Sequence, residues 1–417
     1  MKIAIVGAGV VGIATAYELS GQGNDVTVFE KNSAAGEAAS FANAGIHSNS
    51  CTLPLSIAAL RGNHLTRLIQ ATRSLSTAHW YSPVNLRWLW AYSGAGSTAR
   101  GERCLQHGQQ MARLGMEITD ALISRGQWEV EQSAGQLIVL GGETDLERYS
   151  LALELLKASE QPFRVLDGAE LQGLEPSLQG IDKLHKAIHI PGDRIMNCRQ
   201  FALLAKQEAQ KDGVEFHFDT EVLAIESQSG PLLRTARGDV LGFDQIIVCT
   251  EAPLPQDILR LRLNLPLARI DSYAVSVGIR EPLNAPRSAV QDHASGITIS
   301  RIGKRLRACG GAELNRPTNA AHDKRMIGKL FRTLDQRFPG AANYAGGTQV
   351  WRGSRTFTTD GLPVVGPSGL PGVWLNLAHG AYGWTLATAS ARLLSQQLGG
   401  KPTSVPCELI SPLRFKG

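Results

Sequence analysis

Long apolar segments, clustered cysteines and runs of one charge are all missing from this 417-residue sequence. No apolar run reaches the roughly 18 residues that a membrane-spanning helix requires. The six cysteines lie far apart and form no Cys-x-x-Cys pair, so we predict free thiols and no metal site. The 42 Lys and Arg residues only slightly outnumber the 37 Asp and Glu residues, and they form no long basic run, so we expect no nucleic-acid partner.

The composition is otherwise that of a folded globular protein. Apolar residues make up 43% of the chain and charged residues 19%, which excludes a disordered chain of low hydrophobicity and high net charge. At roughly 100–200 residues per domain, the length predicts two domains or three. The N-terminus shows neither the apolar core nor the cleavage site of a signal peptide. We therefore expect a cytoplasmic protein.

The first thirty residues predict a β-α-β unit. Lys2–Val6 is a short, β-branched apolar run typical of a buried parallel strand. It leads into GAGVVG at 7–12, a Gly-x-Gly-x-x-Gly motif. Next come helical spacing over 11–19 and a second strand over 25–29. Glu30 follows that strand directly. Because strand, helix, strand and terminal acid follow in register, the unit predicts a dinucleotide-binding site.

Each part of this motif has a mechanical reason. Gly7 permits the tight turn from strand to helix, Gly9 lets the backbone approach a pyrophosphate, and Gly12 lets the helix pack closely on the strand. The helix N-terminus offers N–H groups and a positive dipole end to phosphates. Glu30 would accept hydrogen bonds from ribose hydroxyls and repel the extra phosphate of NADP. The predicted contacts of this unit are Gly7, Gly9, Val10, Val11, Gly12, Glu30 and Lys31.

The motif alone leaves NAD and FAD open. NAD-binding folds usually continue with another regular β-α unit, whereas this chain enters a loop rich in Ser, Ala and Asn. Residues 37–45 of the loop are small and polar and end on Gly45, so they can run closely along a bound ligand. Farther on, helical spacing and strand alternation are mixed, which predicts an α/β fold class.

Four further segments carry a resemblance to a known family. They are SFANAG at 40–45, WRGSR at 351–355, TDGLPVVG at 359–366 and LNLAHGAYGWT at 375–385. Together with the N-terminal motif, they resemble the FAD-dependent D-amino-acid dehydrogenases of bacteria, within the wider D-amino-acid oxidase and glycine oxidase superfamily. The resemblance extends over most of the chain.

The resemblance implies an FAD-binding Rossmann-like domain of the ββα type and an α+β substrate domain, as in D-amino-acid oxidase. The FAD-binding domain is expected to be discontinuous, formed by 1–52, 193–260 and 347–417. The substrate domain is expected to take the two insertions, 53–192 and 261–346.

The implied cofactor is non-covalent FAD, lying extended with its ADP end on the motif. The loop 379–383 would pass close to the isoalloxazine ring, and the helix that follows would direct its positive dipole end to the flavin. Covalent attachment through His47 or Cys51 is an alternative that the motif positions do not favour. Further contacts with FAD are implied at Ser40, Asn43, Ala44, Gly45, Val222, Thr250, His379, Gly380, Gly383 and Trp384.

The implied reaction oxidises a D-amino acid, or a related secondary or cyclic amino acid, to the imino acid. Arg355 matches the carboxylate-binding arginine of the superfamily, and its planar charged fork can hold a carboxylate in two hydrogen bonds. This arrangement presents the Cα–H to flavin N5 for hydride transfer, and water then releases the 2-oxo acid and ammonia from a primary imine. Tyr273 and Tyr382 are expected to line the substrate pocket. The electrons would pass to a quinone or to O₂.

Two residues depart from the family pattern. Glu251 stands where the family usually has a small residue, after the strand that ends at Thr250. Asp271 stands where the family has the lysine of a Lys-Gly-Tyr segment. If Asp271 faces the substrate, the preferred substrate differs from the broad range usual in the family.

Other functions stay open on the sequence alone. They are a glycine or sarcosine oxidase-like activity that uses O₂, a non-catalytic FAD-binding subunit, and an NAD-dependent dehydrogenase. The aromatic residues at 79–81, with Trp88 and Trp90, favour core packing, and peripheral contact with the inner face of the membrane is the alternative.

Overall fold

Strands and helices alternate along the chain in the computed structural model, which describes residues 1–48, 63–75, 82–95, 98–180, 186–227, 230–251, 265–317 and 319–415. The helices are α1 (Val10–Ser20), α2 (His64–Ser74), α3 (Pro83–Ala95), α4 (Thr98–Gly126), α5 (Glu143–Ala158), α6 (Gly168–Leu174), α7 (Cys198–Lys211), α8 (Ala320–Arg337) and α9 (Gly383–Leu398). The strands of the first half are β1 (Lys2–Val6), β2 (Asp25–Phe29), β3 (Ile46–His47), β4 (Gln132–Leu140), β5 (Arg164–Leu166), β6 (Lys186–Met196), β7 (Glu215–His217), β8 (Val222–Glu226), β9 (Leu232–Thr235), β10 (Val240–Gly242) and β11 (Gln245–Val248). Those of the second half are β12 (Leu267–Ile279), β13 (Ala289–Asp292), β14 (Ile297–Ile302), β15 (Arg305–Leu314), β16 (Ala342–Asn343), β17 (Gln349–Thr358), β18 (Val364–Pro367) and β19 (Val373–Leu377).

Six strands of the described chain form the sheet that carries the N-terminal motif, in the order β18-β19-β11-β1-β2-β7. All pairs in it are parallel except β18 with β19. The apolar run of β1 suits this central place because Ile3, Ala4 and Ile5 are fully buried. Since the strands are parallel, their carboxyl ends share one edge of the sheet, which is where ligands of open α/β sheets bind.

Helix α1 approaches β1 very closely at two glycines. A Cβ atom on Gly12 would lie 1.9 Å from the carbonyl oxygen of Gly7, so only glycine permits this contact. Helices α7 and α9 pack on the same helix, and Ile13, Leu19 and Phe201 are buried in the shared apolar cluster. The motif therefore fixes the position of α1 through packing as well as through its turn.

Asparagine and aspartate side chains set where several helices begin. Asn63, Asn197 and Asn319 each accept a hydrogen bond from the backbone N–H three residues farther on, at the starts of α2, α7 and α8. Asp167 and Glu170 form a reciprocal capping box at α6. Each cap satisfies an N–H group that has no partner within the helix.

The larger sheet has the order β16-β12-β15-β14-β13-β4-β6-β3, with β17 pairing with β12 and β5 pairing with β6. Helix α8 covers one face, where Tyr273 and Val275 of β12 are buried with Leu330. Strand β17 falls in the predicted FAD-binding segment 347–417, yet it pairs along its whole length with β12. This pairing places Arg355 in the larger sheet.

Helix α4 and a small antiparallel sheet of β8, β9 and β10 complete the described fold. Helix α4 packs against α9 so tightly that a Cβ on Gly115 would lie 2.3 Å from the carbonyl oxygen of Thr385. The contact joins a helix of the predicted substrate segments to a helix that follows the six-stranded sheet.

The aromatic cluster on α3 is divided between core and surface. Trp88 and Leu89 are buried, as the core interpretation predicts, whereas Trp90 is 60% exposed. The aromatic residues at 79–81 lie outside the described residues. Within the described ranges, the helices are each too short or too polar to cross a bilayer.

The Gly12 contact leads to a stability prediction. Gly12→Ala should lower the free energy of unfolding by about 1–3 kcal/mol or more, because the added methyl group meets backbone that cannot rotate away. Gly173→Ala is the matched control, since this glycine is also helical and a Cβ there would have no neighbour within 4 Å. The control should be neutral or stabilising. Urea unfolding of both variants measures the difference, and equal stability would show that α1 can shift on β1.

Candidate active site

A cleft of about 1410 Å³ opens between the carboxyl edge of the six-stranded sheet and the larger sheet. The segments after β1, β2, β11 and β19 all contribute to its wall, as the shared edge of a parallel sheet requires. Gly12 lies behind this wall, against Gly7. The other residues predicted from the sequence line the cleft: Gly7, Gly9, Val10, Val11, Glu30, Lys31, Ser40, Asn43, Ala44, Gly45, Val222, Thr250, Tyr273, Arg355, His379, Gly380, Tyr382, Gly383 and Trp384.

The first two glycines of the motif have different reasons to be glycine. Gly7 has a φ of +106°, and a Cβ there would lie 3.0 Å from the carbonyl oxygen of Cys249, so the turn itself needs glycine. Gly9 has a φ of −70°, which any residue adopts, and a Cβ there would meet only Ser40 Oγ, at 3.5 Å. Glycine at position 9 therefore keeps open a space beside the first N–H groups of α1, and a pyrophosphate fits that space.

Glu30 is buried at the end of β2 and already holds the neighbouring backbone. Its Oε2 accepts from the N–H of Ala8 at 2.7 Å, and its Oε1 accepts from the backbone and side-chain N–H groups of Asn32 at 2.9 and 2.6 Å. A carboxylate has about four acceptor directions, so about one is left for a ribose hydroxyl.

Residues 40–45 cross from the six-stranded sheet to the larger one. Ser40 Oγ accepts from the N–H of Val10 at 3.0 Å, and the carbonyl oxygen of Asn43 accepts from Arg307 Nη1 of β15 at 2.8 Å. A Cβ on Gly45, whose φ is +76°, would come within 2.9 Å of the β6 backbone. The segment is thus held at both ends along the cleft wall.

Three buried polar side-chain atoms of residues in this wall lack hydrogen-bond partners among the described residues. They are Oγ1 of Thr250, just after β11, Nε of Arg355 and Nε1 of Trp384. An unpaired buried polar group costs free energy. A bound ligand that completes their hydrogen bonds would remove this cost.

Arg355 is half-buried on β17, opposite Ile270 of β12. Its Nη2 donates to Ser272 Oγ at 3.0 Å, which fixes one end of the guanidinium. Burial lowers the pKa of Arg355, while Cys309 and Glu251 act in the opposite direction, and arginine remains charged at any physiological pH. Ser272 was not predicted from the sequence, because the bond depends on which strands pair.

His379 is a packed imidazole at the end of β19. Its Nε2 lies 2.9 Å from Ser390 Oγ, and that hydroxyl donates to the carbonyl oxygen of Ala387. We therefore assign the imidazole proton to Nε2. Burial lowers the pKa of His379 to about 3, so the ring is neutral at physiological pH.

The two glycines of the following loop differ in how much space they have. Gly380 has a φ of +55°, and a Cβ there would lie 2.9 Å from the Phe357 ring. A Cβ on Gly383 would have its nearest neighbour at 3.6 Å, an ordinary contact. Of these two glycines, only Gly380 is required by its protein surroundings. Gly383 begins α9, whose N-terminal turn borders the cleft.

Tyr273 borders the cleft with its ring, while its hydroxyl is bonded on the side of β12 that faces α8. The ring packs among the residues that face α8, on the opposite side of β12 from Ser272. Its hydroxyl lies 2.9 Å from Glu313 Oε2 and 2.8 Å from Asp323 Oδ1. Burial and these two carboxylates raise the pKa of Tyr273. The phenol is therefore engaged by protein groups.

Tyr382 and Trp384 flank the start of α9. Tyr382 is half-buried beside the apolar cluster of α1 and α9. Trp384 is buried, with its ring edge-on to His47 at 4.6 Å between centroids. His47 is fully buried, its Nδ1 lies 2.6 Å from Met116 Sδ, and it does not line the cleft. This position does not favour attachment of FAD to His47, and Cys51 lies outside the described residues.

The two departures from the family pattern have different surroundings. Asp271 is buried and paired with Arg352 at 2.7 Å, and it also accepts from Ser354 Oγ. Asp271 does not line the cleft. Its position therefore gives no reason to expect that it alters the substrate preference. Glu251 does line the cleft, and its Oε2 accepts from the N–H of Thr356 at 2.5 Å.

In the part of the chain that the structure describes, no three His, Cys, Asp or Glu side chains are grouped as metal ligands would be.

The chain is similar to known FAD-dependent oxidoreductases in sequence and to a solved glycine oxidase in structure. A sequence profile of the family described as FAD dependent oxidoreductase (DAO) matches residues 2–397. The chain is 31% identical to a D-amino acid dehydrogenase of Rhizorhabdus wittichii over 412 residues, which cover 97% of this chain and 98% of that protein. It is 30% identical to a D-amino acid dehydrogenase of Cereibacter sphaeroides, with 97% and 93% covered. The solved glycine oxidase from Geobacillus kaustophilus is 22% identical, with a TM-score of 0.75 and coverage of 100% and 99%.

These similarities agree with the local geometry. The structural match confirms the predicted fold class, a Rossmann-like FAD-binding part joined to an α+β part. The open space at Gly9, the acid at the end of β2 and the unpaired Thr250 hydroxyl all fit a dinucleotide. Because the family profile spans nearly the whole chain, the protein belongs to the DAO family of FAD-dependent oxidoreductases, and its cofactor is FAD.

Proposed function

We propose that the protein oxidises a D-amino acid, or a closely related secondary or cyclic amino acid, to the imino acid. Water then releases the 2-oxo acid and ammonia from a primary imine. The observation that carries the proposal is Arg355, a half-buried guanidinium in the cleft whose Nε has no hydrogen-bond partner among the described residues. The two curated relatives, both named D-amino acid dehydrogenases, support the choice of substrate class.

Arg355 has the properties of a carboxylate clamp. Ser272 holds Nη2, and the fork geometry of a guanidinium suits two parallel hydrogen bonds to a carboxylate. A clamp on a strand positions Cα repeatably, and such orientation contributes much of the rate of a transfer reaction. FAD, when bound, supplies the acceptor for the hydride that leaves Cα, at flavin N5.

The N-terminal motif and the C-terminal loop are proposed to hold the two ends of FAD. The motif glycines, Ser40, Thr250 and Glu30 would take the ADP part. The loop 379–383 and the first turn of α9 would lie at the flavin, where a helix N-terminus favours negative charge. Val222, at the start of β8, borders the same cleft. In this proposal Tyr382 and the ring of Tyr273 contribute wall surface.

The domain division remains part of the proposal. Segments 1–52, 193–260 and 347–417 would form the FAD-binding domain, with 53–192 and 261–346 as the substrate domain. All strands of the six-stranded sheet fall in the first set, which supports it. Strand β17 would be the connection between the two, because it pairs with β12.

The electron acceptor is proposed to be a quinone, with O₂ as the alternative. The second candidate function is a glycine or sarcosine oxidase-like activity, which the structural similarity to a glycine oxidase supports. Reduction of an artificial dye without peroxide release would favour the dehydrogenase, and stoichiometric peroxide would favour the oxidase. A non-catalytic role as an FAD-binding subunit would be excluded by anaerobic bleaching of the flavin by any amino acid.

Gly9→Val tests the ADP end of the FAD site. A branched side chain would occupy the space beside the α1 N-terminus, so the variant should purify with little or no flavin. The protein itself leaves room at this position, so folding should be retained. Flavin content per chain and the circular dichroism spectrum are measured together. Full flavin occupancy would mean that the pyrophosphate lies elsewhere.

Arg355→Ala tests the carboxylate clamp. It should leave FAD bound and lower kcat/KM for D-amino acids by about ten- to a hundredfold or more, since each lost charge-assisted hydrogen bond is worth about 1.5–3 kcal/mol. Arg355→Lys should recover only part of this loss, because an ammonium keeps the charge without the fork. An amine without a carboxylate should be a poor substrate for the parent, and Arg355→Ala should lower its kcat/KM little further. Parental efficiency in Arg355→Ala would place the clamp at another residue.

Gly380→Ala and Gly383→Ala form a matched pair at the C-terminal loop. The first combines a strained positive φ with a contact to the Phe357 ring, whereas the second makes only an ordinary contact. Gly380→Ala should therefore shift the visible flavin spectrum and reduce turnover more than Gly383→Ala does. Identical spectra and turnover in parent and Gly380→Ala would show that this loop is not next to the flavin.

A further inference from the structure

Glu251 brings an anion to the same part of the cleft as Arg355. It comes just after β11, at the carboxyl edge of the six-stranded sheet, and its carboxylate reaches the edge of β17. There Oε2 accepts from the N–H of Thr356, the residue that follows Arg355. Burial raises the pKa of Glu251, and the hydrogen bonds from Thr356 and the nearby guanidinium of Arg355 oppose that effect. The cleft thus has a guanidinium and a carboxyl group near each other.

The other acids that border the cleft have different surroundings. Glu30 is bonded to the backbone at the start of the motif. Glu313 is fully buried and bonded to Tyr273 and His322, on the α8 side of the larger sheet. Glu221 is exposed at the start of the small sheet. Among the described residues, Glu251 is the carboxylate that lies next to the proposed clamp.

A hydrogen bond to β17 does not by itself explain a carboxylate at this position. Any acceptor, including a neutral amide oxygen, would satisfy the N–H of Thr356, and a buried charge costs free energy unless it is paired. A carboxylate has about four acceptor directions, and the backbone and the side chain of Thr356 together fill only some of them. The charge is explained if a cation joins it when the cleft is filled.

The substrate class supplies such a cation. An α-amino acid is a zwitterion near neutral pH, since its carboxyl and amino groups titrate far below and above pH 7. If Arg355 alone bound it, the ammonium would enter a partly buried site without compensation. We propose that Glu251 binds the α-amino group of the substrate while Arg355 binds the α-carboxylate, an inference that rests on the proposed function.

This arrangement has a consequence for stereochemistry. Two of the four groups on Cα would be fixed by charges on two different strands, β17 and the end of β11. With these two groups held, the enantiomers differ in whether the hydrogen or the side chain faces the flavin, which would be the third point of reference. Glu251 therefore contributes to the discrimination between D- and L-amino acids as well as to affinity.

The test compares two ligands of one shape that cannot be oxidised. In 2-aminoisobutyrate, Cα carries a carboxylate, an ammonium and no hydrogen; in 2,2-dimethylpropanoate, a methyl group replaces the ammonium. Both are titrated into the FAD-loaded protein under anaerobic conditions, and dissociation constants are taken from the change in visible flavin absorption. The parent should bind the ammonium ligand about tenfold more tightly or better, as a charge-assisted hydrogen bond predicts.

Glu251→Gln should abolish this preference. The glutamine keeps an oxygen acceptor for the N–H of Thr356 and removes the charge. The affinity for 2-aminoisobutyrate should therefore fall by about tenfold or more. The affinity for 2,2-dimethylpropanoate should be unchanged or higher, because an anion near the bound carboxylate is gone. Glu215→Gln, on the exposed strand β7, removes the same charge far from Arg355 and should alter neither constant. Flavin content and Tm of each variant show whether the fold is retained.

The outcomes separate this inference from the proposed function. The proposed role of Glu251 is wrong if the parent shows no preference for the ammonium ligand. It is also wrong if Glu251→Gln weakens the binding of both ligands equally, or of neither. The parental comparison needs no variant, so it decides the point even if Glu251→Gln fails to fold. The proposed function is tested separately by anaerobic reduction of the parent flavin with D-, L- and N-substituted amino acids. If D-amino acids reduce the parent flavin but Glu251→Gln keeps the parental ligand preference, the proposed function stands and only the proposed role of Glu251 is overturned.

Discussion

The contact between Gly12 and the carbonyl oxygen of Gly7 fixes where α1 stands on β1, and the cofactor end of the cleft depends on it. Because the helix packs so closely on the turn that follows the strand, its N-terminal N–H groups open at the same edge as the ends of β2 and β11. Gly9 then leaves space in front of these groups, and Ser40 ties the next segment to the helix. A packing constraint of one helix on one strand thus determines the geometry of the proposed pyrophosphate site.

The pairing of β17 with β12 has the corresponding role at the other end. It sets Arg355 beside Ser272 on the cleft face, and it sets Arg352 beside Asp271 on the α8 face. Arg352 also reaches Asp323 of α8. These ion pairs hold the strand that carries Arg355. The charges of Arg352, Asp271 and Asp323, which do not line the cleft, thereby help to position the guanidinium that does. Breaking a buried pair by removing one partner is costly, which makes this strand difficult to displace.

Charge in the cleft is arranged so that each end suits a different part of a bound molecule. N–H groups and a helix dipole face the space at Gly9, where a pyrophosphate would lie. A guanidinium and a carboxylate, from Arg355 and Glu251, stand at the end formed by β17. His379, which also lines the cleft, is neutral because burial lowers its pKa to about 3. An acid–base role for this imidazole is therefore not needed in the proposed reaction, in which a hydride leaves Cα.

The sequence by itself determined the β-α-β unit, the FAD cofactor and the family, because glycine spacing, a terminal acid and contiguous motifs are local features that sequence order preserves. It also predicted Arg355, since the motif around it is contiguous. Only the tertiary structure decided that Tyr273 faces α8, that Asp271 is paired with Arg352, and that Glu251 lies next to Arg355. These three depend on strand register and on which sheets meet. A one-residue change of register turns a side chain to the other face of a sheet, and no local pattern in the sequence records that choice.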